Sequence, residues 1–241
     1  MYSLKSIKNQ LFKQPTSMVH LENSSIVEKF ISNPDFPFLI SFPRTGSHWL
    51  RILMELYFKK PSLKRVFYYD NANDFTCYHT HALTEDYEIL NIKRKRFIYL
   101  YRNAPETIFS QLKYMDLDIN DINNITVWSK KYADHLNIWL LHQNPSCERI
   151  NIKYDTMQID IQNQFDKICT FMGESFDQKH FESILSKVSK ENIKSKTKHD
   201  KQVINMSSNY NSERNDFLKN HENKIWDILW DKNENLKEFF N

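Results

Sequence analysis

The chain contains very little glycine. Only two of its 241 residues are glycine, whereas a chain of average composition would carry roughly seventeen. One of the two, Gly46, lies between a short apolar run and a segment whose apolar residues recur at helical spacing. A residue without a side chain at a strand-to-helix turn lets backbone N–H groups close around an anion. Gly46 therefore indicates a candidate anion site.

Cysteine is scarce as well. The three cysteines, Cys77, Cys147 and Cys169, are odd in number, far apart in the chain and never in a C-x-x-C spacing. This pattern argues against both a disulfide framework and a zinc cage. We expect a protein of a reducing compartment, the cytoplasm.

Neither a strong net charge nor a long apolar run is present. The 33 Lys and Arg residues are nearly balanced by 30 Asp and Glu, and the net charge of +3 is too small to attract nucleic acid through bulk electrostatics. No apolar run approaches the ~18 to 20 residues that span a bilayer, and residues 1–5 lead into no apolar signal region. We expect a soluble protein with neither nucleic acid nor membrane as a partner.

Strand-like segments alternate with helix-like segments along the chain. Predicted strands cover 36–42, 75–81, 96–101 and 149–154, and helices are predicted from 47 on, after 103, and over 128–142, 160–172, 177–187 and 213–230. This alternation predicts an α/β fold with a central parallel sheet flanked by helices. We interpret 1–241 as a single domain in which 1–34 is an irregular N-terminal segment and 190–201 a lysine-rich connection.

Two helix boundaries carry specific signals. Asn103 followed by Glu106 has the spacing of a capping box, with Pro105 in the first helical turn. Gly173 follows the last apolar residues of a helical pattern, where a left-handed C-cap favours glycine. We expect helices to begin after Asn103 and to end at Gly173.

Cationic residues follow two of the predicted strands. Arg44 comes after the first strand and Arg102 after the third. Ligands of open parallel sheets bind beyond the carboxyl ends of the strands, so both arginines are expected at one rim. At the first turn Gly46 opens the backbone, and Ser47 and His48 begin a helix whose positive dipole end attracts an anion. The sequence predicts a phosphate cradle.

The cradle does not match the loop of a general nucleoside triphosphatase. That loop requires G-x-x-x-x-G-K-[ST]. Ser41 stands at the position of its first glycine, and Ser47 and His48 follow Gly46 where lysine and a hydroxyl residue are needed. The pattern therefore fails at the first glycine and at both positions that follow Gly46.

Residues 41–51, SFPRTGSHWLR, resemble the 5′-phosphosulfate loop, Y-P-K-S-G-[TS]-[TS]-W-L, of the sulfotransferases that use 3′-phosphoadenosine-5′-phosphosulfate (PAPS). Residues 99–106, with Ser110 eight residues after Arg102, are similar to that family's 3′-phosphate element, and 153–157 resembles its Y-E-D-L segment. The resemblance covers 35–230. It implies the sulfotransferase form of the P-loop nucleoside triphosphate hydrolase-like architecture.

The resemblance also implies a set of residues for PAPS and its product, adenosine 3′,5′-bisphosphate (PAP). Arg102 and Ser110 would hold the 3′-phosphate, Tyr154 would lie near the adenine, and Trp49 would stack on that base. The predicted cofactor-binding residues are Arg44, Thr45, Gly46, Ser47, His48, Trp49, Arg102, Ser110 and Tyr154. No metal is expected, because arginines and helix N-termini would supply the positive field.

The family's catalytic base is a histidine at a strand end, and His81 occupies a similar Thr-His context. An imidazole can take a hydroxyl proton at neutral pH. His79 would point to the same side of the strand, since side chains repeat every second residue, and it stays an alternative base. Arg44 replaces the loop lysine of the family and would neutralise charge on the leaving group.

One departure from the family lies near the C-terminus. The R-K-G triplet that binds the 3′-phosphate in cytosolic members falls on 206–208, Met-Ser-Ser. Lys198, Lys201 or Arg214 could replace it.

The resemblance implies sulfuryl transfer to a hydroxyl, or less readily an amine, of a small-molecule or glycan acceptor. The alternatives are an ATP- and magnesium-dependent small-molecule or nucleotide kinase, and a non-catalytic protein that binds the nucleotide.

Overall fold

The fold is described by a computed structural model that covers residues 24–63, 67–69, 73–83, 95–141, 146–188 and 208–240. The strands are β1 (Phe38–Ser41), β2 (Tyr78–Thr80), β3 (Arg96–Tyr101) and β4 (Glu148–Lys153). The helices are α1 (Ser24–Ser32), α2 (Ser47–Phe58), α3 (Ala104–Tyr114), α4 (Ile122–Trp139), α5 (Tyr154–Ile159), α6 (Ile161–Met172), α7 (Gln178–Leu185) and α8 (Tyr210–Lys232), and α8 is followed by a 3₁₀ helix (Glu234–Phe239).

The described strands form one parallel sheet in the order β2-β1-β3-β4. Leu39 lies opposite both His79 and Ile98, and Tyr101 lies opposite Lys153. Because all four strands run the same way, their carboxyl ends form one rim. The predicted α/β fold with a central parallel sheet and flanking helices is confirmed.

Helices cover both faces of the sheet. Alternate residues of each strand point to opposite sides, so neighbouring residues pack into different helical layers. Phe38 and Tyr99 pack into the layer that contains α3, α4 and α8. Leu39 and Ile98 pack into the layer of α2, α6 and α7. All four of these side chains are fully buried. The near-continuous apolar strands of the sequence therefore reflect burial on both faces.

Only half of the predicted capping box forms at the start of α3. The Asn103 side chain accepts the Glu106 N–H at 3.1 Å, as predicted. The reciprocal bond, in which the Glu106 carboxylate would accept the Asn103 N–H, does not form. That N–H donates instead to Asp155 Oδ2 at 2.8 Å, and the Glu106 carboxylate pairs with Arg102. A tertiary contact thus competes successfully with the local motif.

Gly173 ends α6 as predicted. Its φ of 80° lies in the left-handed region, and the Glu174 N–H turns back to the Cys169 carbonyl at 2.9 Å. The three cysteines, all within the described ranges, form no disulfide.

Some element bounds differ from the prediction. Helix α4 begins at Ile122 and not at 128, because Asp121 caps it by accepting the Asn123 N–H at 2.8 Å. Strand β2 is confined to Tyr78–Thr80, and α8 is longer at both ends than predicted. The short helix α5 and the final 3₁₀ helix were not predicted. The lysine-rich connection at 190–201 lies outside the described residues.

A buried carboxylate on α2 fixes the segment 67–69 against the fold. Glu55 is fully buried and accepts the N–H groups of Phe67, Tyr68 and Tyr69, the last at 2.6 Å. Burial raises the pKa of the Glu55 carboxyl to about 7, although these N–H groups and Arg51 oppose the shift.

We expect Phe165→Ala to lower the free energy of unfolding by about 3–5 kcal/mol, because it leaves a cavity in the fully buried layer beneath α6. Ile159→Ala is the matched control: this aliphatic residue is 89% exposed, and the change should stay within about 0.5 kcal/mol. Urea unfolding of both variants tests the assignment of this layer, and similar losses would contradict it.

Candidate functional site

The turn after β1 is closed by its own side chains and opens towards the rim. Thr45 Oγ1 donates to the Phe42 carbonyl at 2.8 Å, and Arg44 and Gly46 adopt left-handed φ values of 71° and 94°. The hydrogen-bond ladder of α2 begins with the Trp49 N–H, which donates to the Gly46 carbonyl at 3.0 Å. The N–H groups of Gly46 and Ser47 therefore lie outside this ladder, at the positive end of the helix dipole.

An aromatic ring explains why this position is glycine. A Cβ added to Gly46 would overlap the Cδ2 and Cε2 atoms of Tyr154, and its φ disfavours any other residue. Tyr154 also meets Trp49 edge to face, with ring centroids 5.7 Å apart. The guanidinium carbon of Arg102 lies 4.8 Å from the Tyr154 ring centroid. The structure thus brings together four of the predicted cofactor-binding residues, Gly46, Trp49, Arg102 and Tyr154.

The two cationic residues of the rim share partners. Arg102 Nη1 donates to the Arg44 carbonyl at 3.4 Å. Arg44 Nε donates to Ser110 Oγ at 3.3 Å, and its guanidinium lies 5.0 Å from the centroid of the Tyr114 ring. Ser110 is therefore placed beside Arg44 as well as on the helix that follows Arg102.

The main chain of Arg102 is held firmly, but its side chain keeps an unused donor. The Tyr132 hydroxyl accepts the Arg102 N–H at 3.1 Å and donates to the Arg102 carbonyl at 2.7 Å. The guanidinium pairs with Glu106. Its Nε is buried and has no hydrogen-bond partner in the described part of the chain. A buried donor without a partner is costly, so this atom fits a site that receives an anion.

A second arginine lies on the other side of Glu106. Arg214 Nη1, on α8, is 3.8 Å from Glu106 Oε1, and the Arg214 Nε is also buried with no hydrogen bond recorded to the described residues. Lys198, Lys201 and most of the R-K-G positions fall outside those residues, so Arg214 is the one of the three predicted substitutes that can be placed.

Two histidines bind to Ser41, the last residue of β1: His79 in β2 and His81 directly after that strand. The His81 Nδ1 lies 2.9 Å from the Ser41 carbonyl, which can only accept, so this nitrogen carries the proton and Nε2 bears the lone pair. Burial lowers the pKa of His81 below its ordinary 6.5, with smaller contributions from His48, Arg51 and Arg44, although the bond to Ser41 opposes the shift. His81 is therefore neutral at pH 7, with the lone pair on Nε2.

His79 has both ring nitrogens engaged. Arg51 Nη1, which can only donate, lies 3.4 Å from His79 Nδ1. The other nitrogen, Nε2, therefore carries the proton and donates to Ser41 Oγ at 3.0 Å. The rings of His79 and His81 are 4.8 Å apart, on one side of the strand end, as the period of two predicted. Only His81 is left with a lone pair that these contacts do not use.

A third histidine was not identified from the sequence. His135 on α4 is almost completely buried, and its Nε2 lies 2.7 Å from the His81 carbonyl. The Tyr99 hydroxyl lies 2.8 Å from its other nitrogen, Nδ1. Burial lowers the pKa of His135 to about 3, so the ring is neutral.

One sequence signal could have found His135. On α4, Tyr132 and His135 are three residues apart on the apolar face that also carries Leu136 and Trp139. A polar group on the buried face of a helix needs a hydrogen-bond partner. Tyr132 binds the Arg102 main chain and His135 binds the His81 main chain, so this face of α4 supports both ends of the site.

Comparison with known families places this geometry. A family model described as the sulfotransferase domain matches residues 69–238, and the chain belongs to that family. The matched region contains both candidate bases, Arg102, Ser110 and Tyr154, and it begins after the Gly46 turn. Membership of this family disfavours the kinase alternative.

A solved structure shares the fold. The crystal structure of mouse sulfotransferase SULT7A1 complexed with PAP is similar to this chain with a TM-score of 0.53 and 18% sequence identity, over 90% of this chain and 95% of the mouse chain. No curated protein sequence matches the chain.

Among the described residues, no helix is both long enough and apolar enough to cross a bilayer. No group of three or more His, Cys, Asp or Glu among them is arranged to hold a metal ion.

The two glycines allow a matched test of the cradle. We expect Gly173→Ala to cost about 1–2 kcal/mol, because only its left-handed backbone is strained and nothing lies within 4 Å of the added Cβ. Gly46→Ala should cost about 2–5 kcal/mol, since overpacking against Tyr154 is added to the same strain. Urea unfolding measures both losses.

The additional loss of stability in Gly46→Ala, compared with Gly173→Ala, should disappear when Tyr154→Ala is also present. In that background Gly46→Ala is expected to cost no more than Gly173→Ala does. Equal losses for the two glycines in the otherwise unchanged chain would rule out the contact with Tyr154 as the reason for Gly46.

Proposed function

We propose that this chain transfers the sulfuryl group of PAPS to a hydroxyl of a small-molecule acceptor, with His81 as general base. The observation that carries this proposal is the buried Arg102 Nε, a cationic donor without a described partner at the same rim as the Gly46 turn. Family membership supports the activity, and the mouse neighbour was solved as a complex with PAP.

The residues of the rim divide into two anion sites. The N–H groups of Gly46 and Ser47, the turn residues Thr45 and His48, and the Arg44 guanidinium would hold the 5′-phosphosulfate. Arg102 and Ser110 would hold the 3′-phosphate. Arg214 takes part as a second cation, because its buried Nε flanks Glu106 opposite Arg102.

Aromatic residues between these two sites would receive the base. Trp49 and Tyr154 meet edge to face beside Arg102, and an aromatic face suits stacking on adenine. Glu106 holds the guanidinium groups of Arg102 and Arg214 towards each other, so the cations are oriented before a phosphate arrives.

The chemistry follows from the protonation states of the side chains. His81 Nε2 takes the acceptor's hydroxyl proton while the acceptor oxygen forms a bond to sulfur and the bond between sulfur and the 5′-phosphate oxygen of PAP breaks. Arg44 and the N-terminus of α2 stabilise the charge that develops on that oxygen. Arginine stays protonated throughout, so the role of Arg44 is electrostatic. None of these roles requires a metal ion.

The proposed acceptor group is a hydroxyl, in preference to an amine, carried by a small molecule or a glycan. The cysteines without disulfides fit a reducing compartment such as the cytoplasm.

The donor assignment is tested by nucleotide binding. We expect the chain to bind PAP in isothermal titration calorimetry, and Arg102→Ala to weaken PAP about 10- to 100-fold because a charge-assisted hydrogen bond is lost. Binding of 5′-AMP, which lacks the 3′-phosphate, should change less than about twofold.

Arg96→Ala is the matched control, since Arg96 begins the strand that Arg102 follows and pairs with Glu148 at the opposite end of the sheet. It should leave PAP affinity unchanged. Binding of ATP with magnesium but not of PAP would reject the proposed function, and equal weakening of PAP and 5′-AMP would reject the role of Arg102.

The base is tested by turnover with radiolabelled PAPS and a panel of phenols, aliphatic alcohols and oligosaccharides. We expect His81→Ala to lower the transfer rate about 10²- to 10⁴-fold and to leave PAP affinity intact. His79→Ala should lower it less, since both nitrogens of His79 serve neighbouring residues. Turnover retained without His81 but lost without His79 would reverse the assignment.

The pH dependence of kcat/KM gives a second readout. Because the pKa of His81 is lowered below 6.5, the base is already deprotonated at neutral pH. We expect the rate to fall with decreasing pH at a midpoint lower than that of an ordinary histidine, because the pKa of the base is lowered.

A further inference from the structure

A directed line of hydrogen bonds crosses the core to reach His81. It starts at the Tyr99 hydroxyl on β3, passes through the His135 ring on α4 and ends at the His81 carbonyl. Tyr99 is fully buried, and His135 is almost so. The proposed function assigns no role to Tyr99 or His135, so that function leaves this line unexplained.

The direction of the line is fixed by chemistry. The His81 carbonyl can only accept, so His135 Nε2 must carry the proton. A neutral ring then has its lone pair on Nδ1, and the Tyr99 hydroxyl donates to it. Burial, which keeps His135 uncharged, allows no other arrangement in which every group is satisfied.

The line ends on the peptide unit that sets the orientation of His81. The carbonyl of this unit accepts from His135, and its N–H, which belongs to Ala82, donates to Thr80 Oγ1 at 3.0 Å. Ala82 itself has a left-handed φ of 41°. Both polar groups of the peptide between His81 and Ala82 are therefore bonded where the backbone is strained.

We infer that His135 is a positioning residue that aims the His81 imidazole by holding its peptide plane, and that Tyr99 fixes the His135 tautomer. The inference rests on the proposed function, in which His81 Nε2 is the base. Two anchors hold His81: Ser41 binds the ring through Nδ1, and His135 binds the main chain. If either anchor were lost, the ring could rotate about the one that remains.

A purely structural role for His135 predicts a different outcome. Its ring packs against Phe42 and Trp139, with centroids 5.4 Å and 6.5 Å away. If His135 only fills space, an apolar substitute of similar size should keep turnover. If it positions His81, turnover should need a donor at the place of Nε2.

The test compares His135→Leu with His135→Gln, using PAPS and the acceptor that gives most turnover in the panel. For His135→Leu we expect kcat to fall about 10- to 100-fold, with the KM for PAPS and the PAP dissociation constant within about twofold. His135→Gln should recover most of kcat, because its amide N–H can donate to the His81 carbonyl. A folded His135→Leu variant with unchanged kcat, or equal kcat for Leu and Gln, would overturn the inference.

Ser129→Ala is the matched control on the same helix. Its hydroxyl donates to the Ile125 carbonyl of the same helix at 2.7 Å, so kcat should stay unchanged while stability falls slightly. If His135→Leu does not fold, Tyr99→Phe takes its place, because it removes a single hydroxyl. It should lower kcat about threefold to tenfold, and an unchanged kcat would count against the inference.

A spectroscopic readout does not depend on turnover. In nitrogen-15 NMR spectra of the nucleotide-free protein we expect His81 as the Nδ1–H tautomer and His135 as the Nε2–H tautomer, with His81 becoming a mixture of tautomers in His135→Leu. The opposite tautomer of His135 in a chain that binds PAP would overturn the inference and leave the proposed function standing. A chain that shows these tautomers but binds no PAP would reject the function and leave the hydrogen-bond line intact.

Discussion

The parallel pairing of β1 with β2 on one side and β3 on the other is the constraint on which the site depends. It places the end of β1 beside both neighbouring strand ends, so Ser41 receives hydrogen bonds from His79 and His81. Arg102, which follows β3, reaches the turn after β1 through the Arg44 carbonyl. The candidate donor site and the proposed base are thus brought together by the sheet itself, and the loops supply the contacting groups.

The two histidines at this strand end differ in their hydrogen-bond partners. Side chains two residues apart share a face, and both rings reach the same serine. Their different partners decide what each can do. The lone pair of His79 accepts a hydrogen bond from a guanidinium, whereas His81 donates its N–H to a carbonyl and keeps its lone pair. Sequence alone left both as candidates, since it shows the spacing but not the partners.

Much of the fold was predictable because its signals are local. The bounds of β3, the start of α2 and the left-handed end of α6 at Gly173 follow from apolar pattern and turn chemistry. The contact of Tyr154 with Gly46 and the line from Tyr99 through His135 join residues far apart in the chain. No spacing rule encodes such contacts, and the half-formed capping box at Asn103 shows a distant carboxylate overriding a local rule.

The stability of the fold depends on pH through two buried groups, whose contributions have opposite signs. The pKa of Glu55 is raised from 4.5 to about 7, so between these values the folded chain keeps a proton that the unfolded chain releases, and acid stabilises the fold. The pKa of His135 is lowered from 6.5 to about 3, so the unfolded chain binds the extra proton there, and acid destabilises the fold. Each contributes up to about 1.4 kcal/mol per pH unit, and they offset one another while both are active. Below the ordinary pKa of Glu55 only the His135 contribution remains. The proton enters at Nδ1, so acid opposes the hydrogen bond that the Tyr99 hydroxyl donates to this ring.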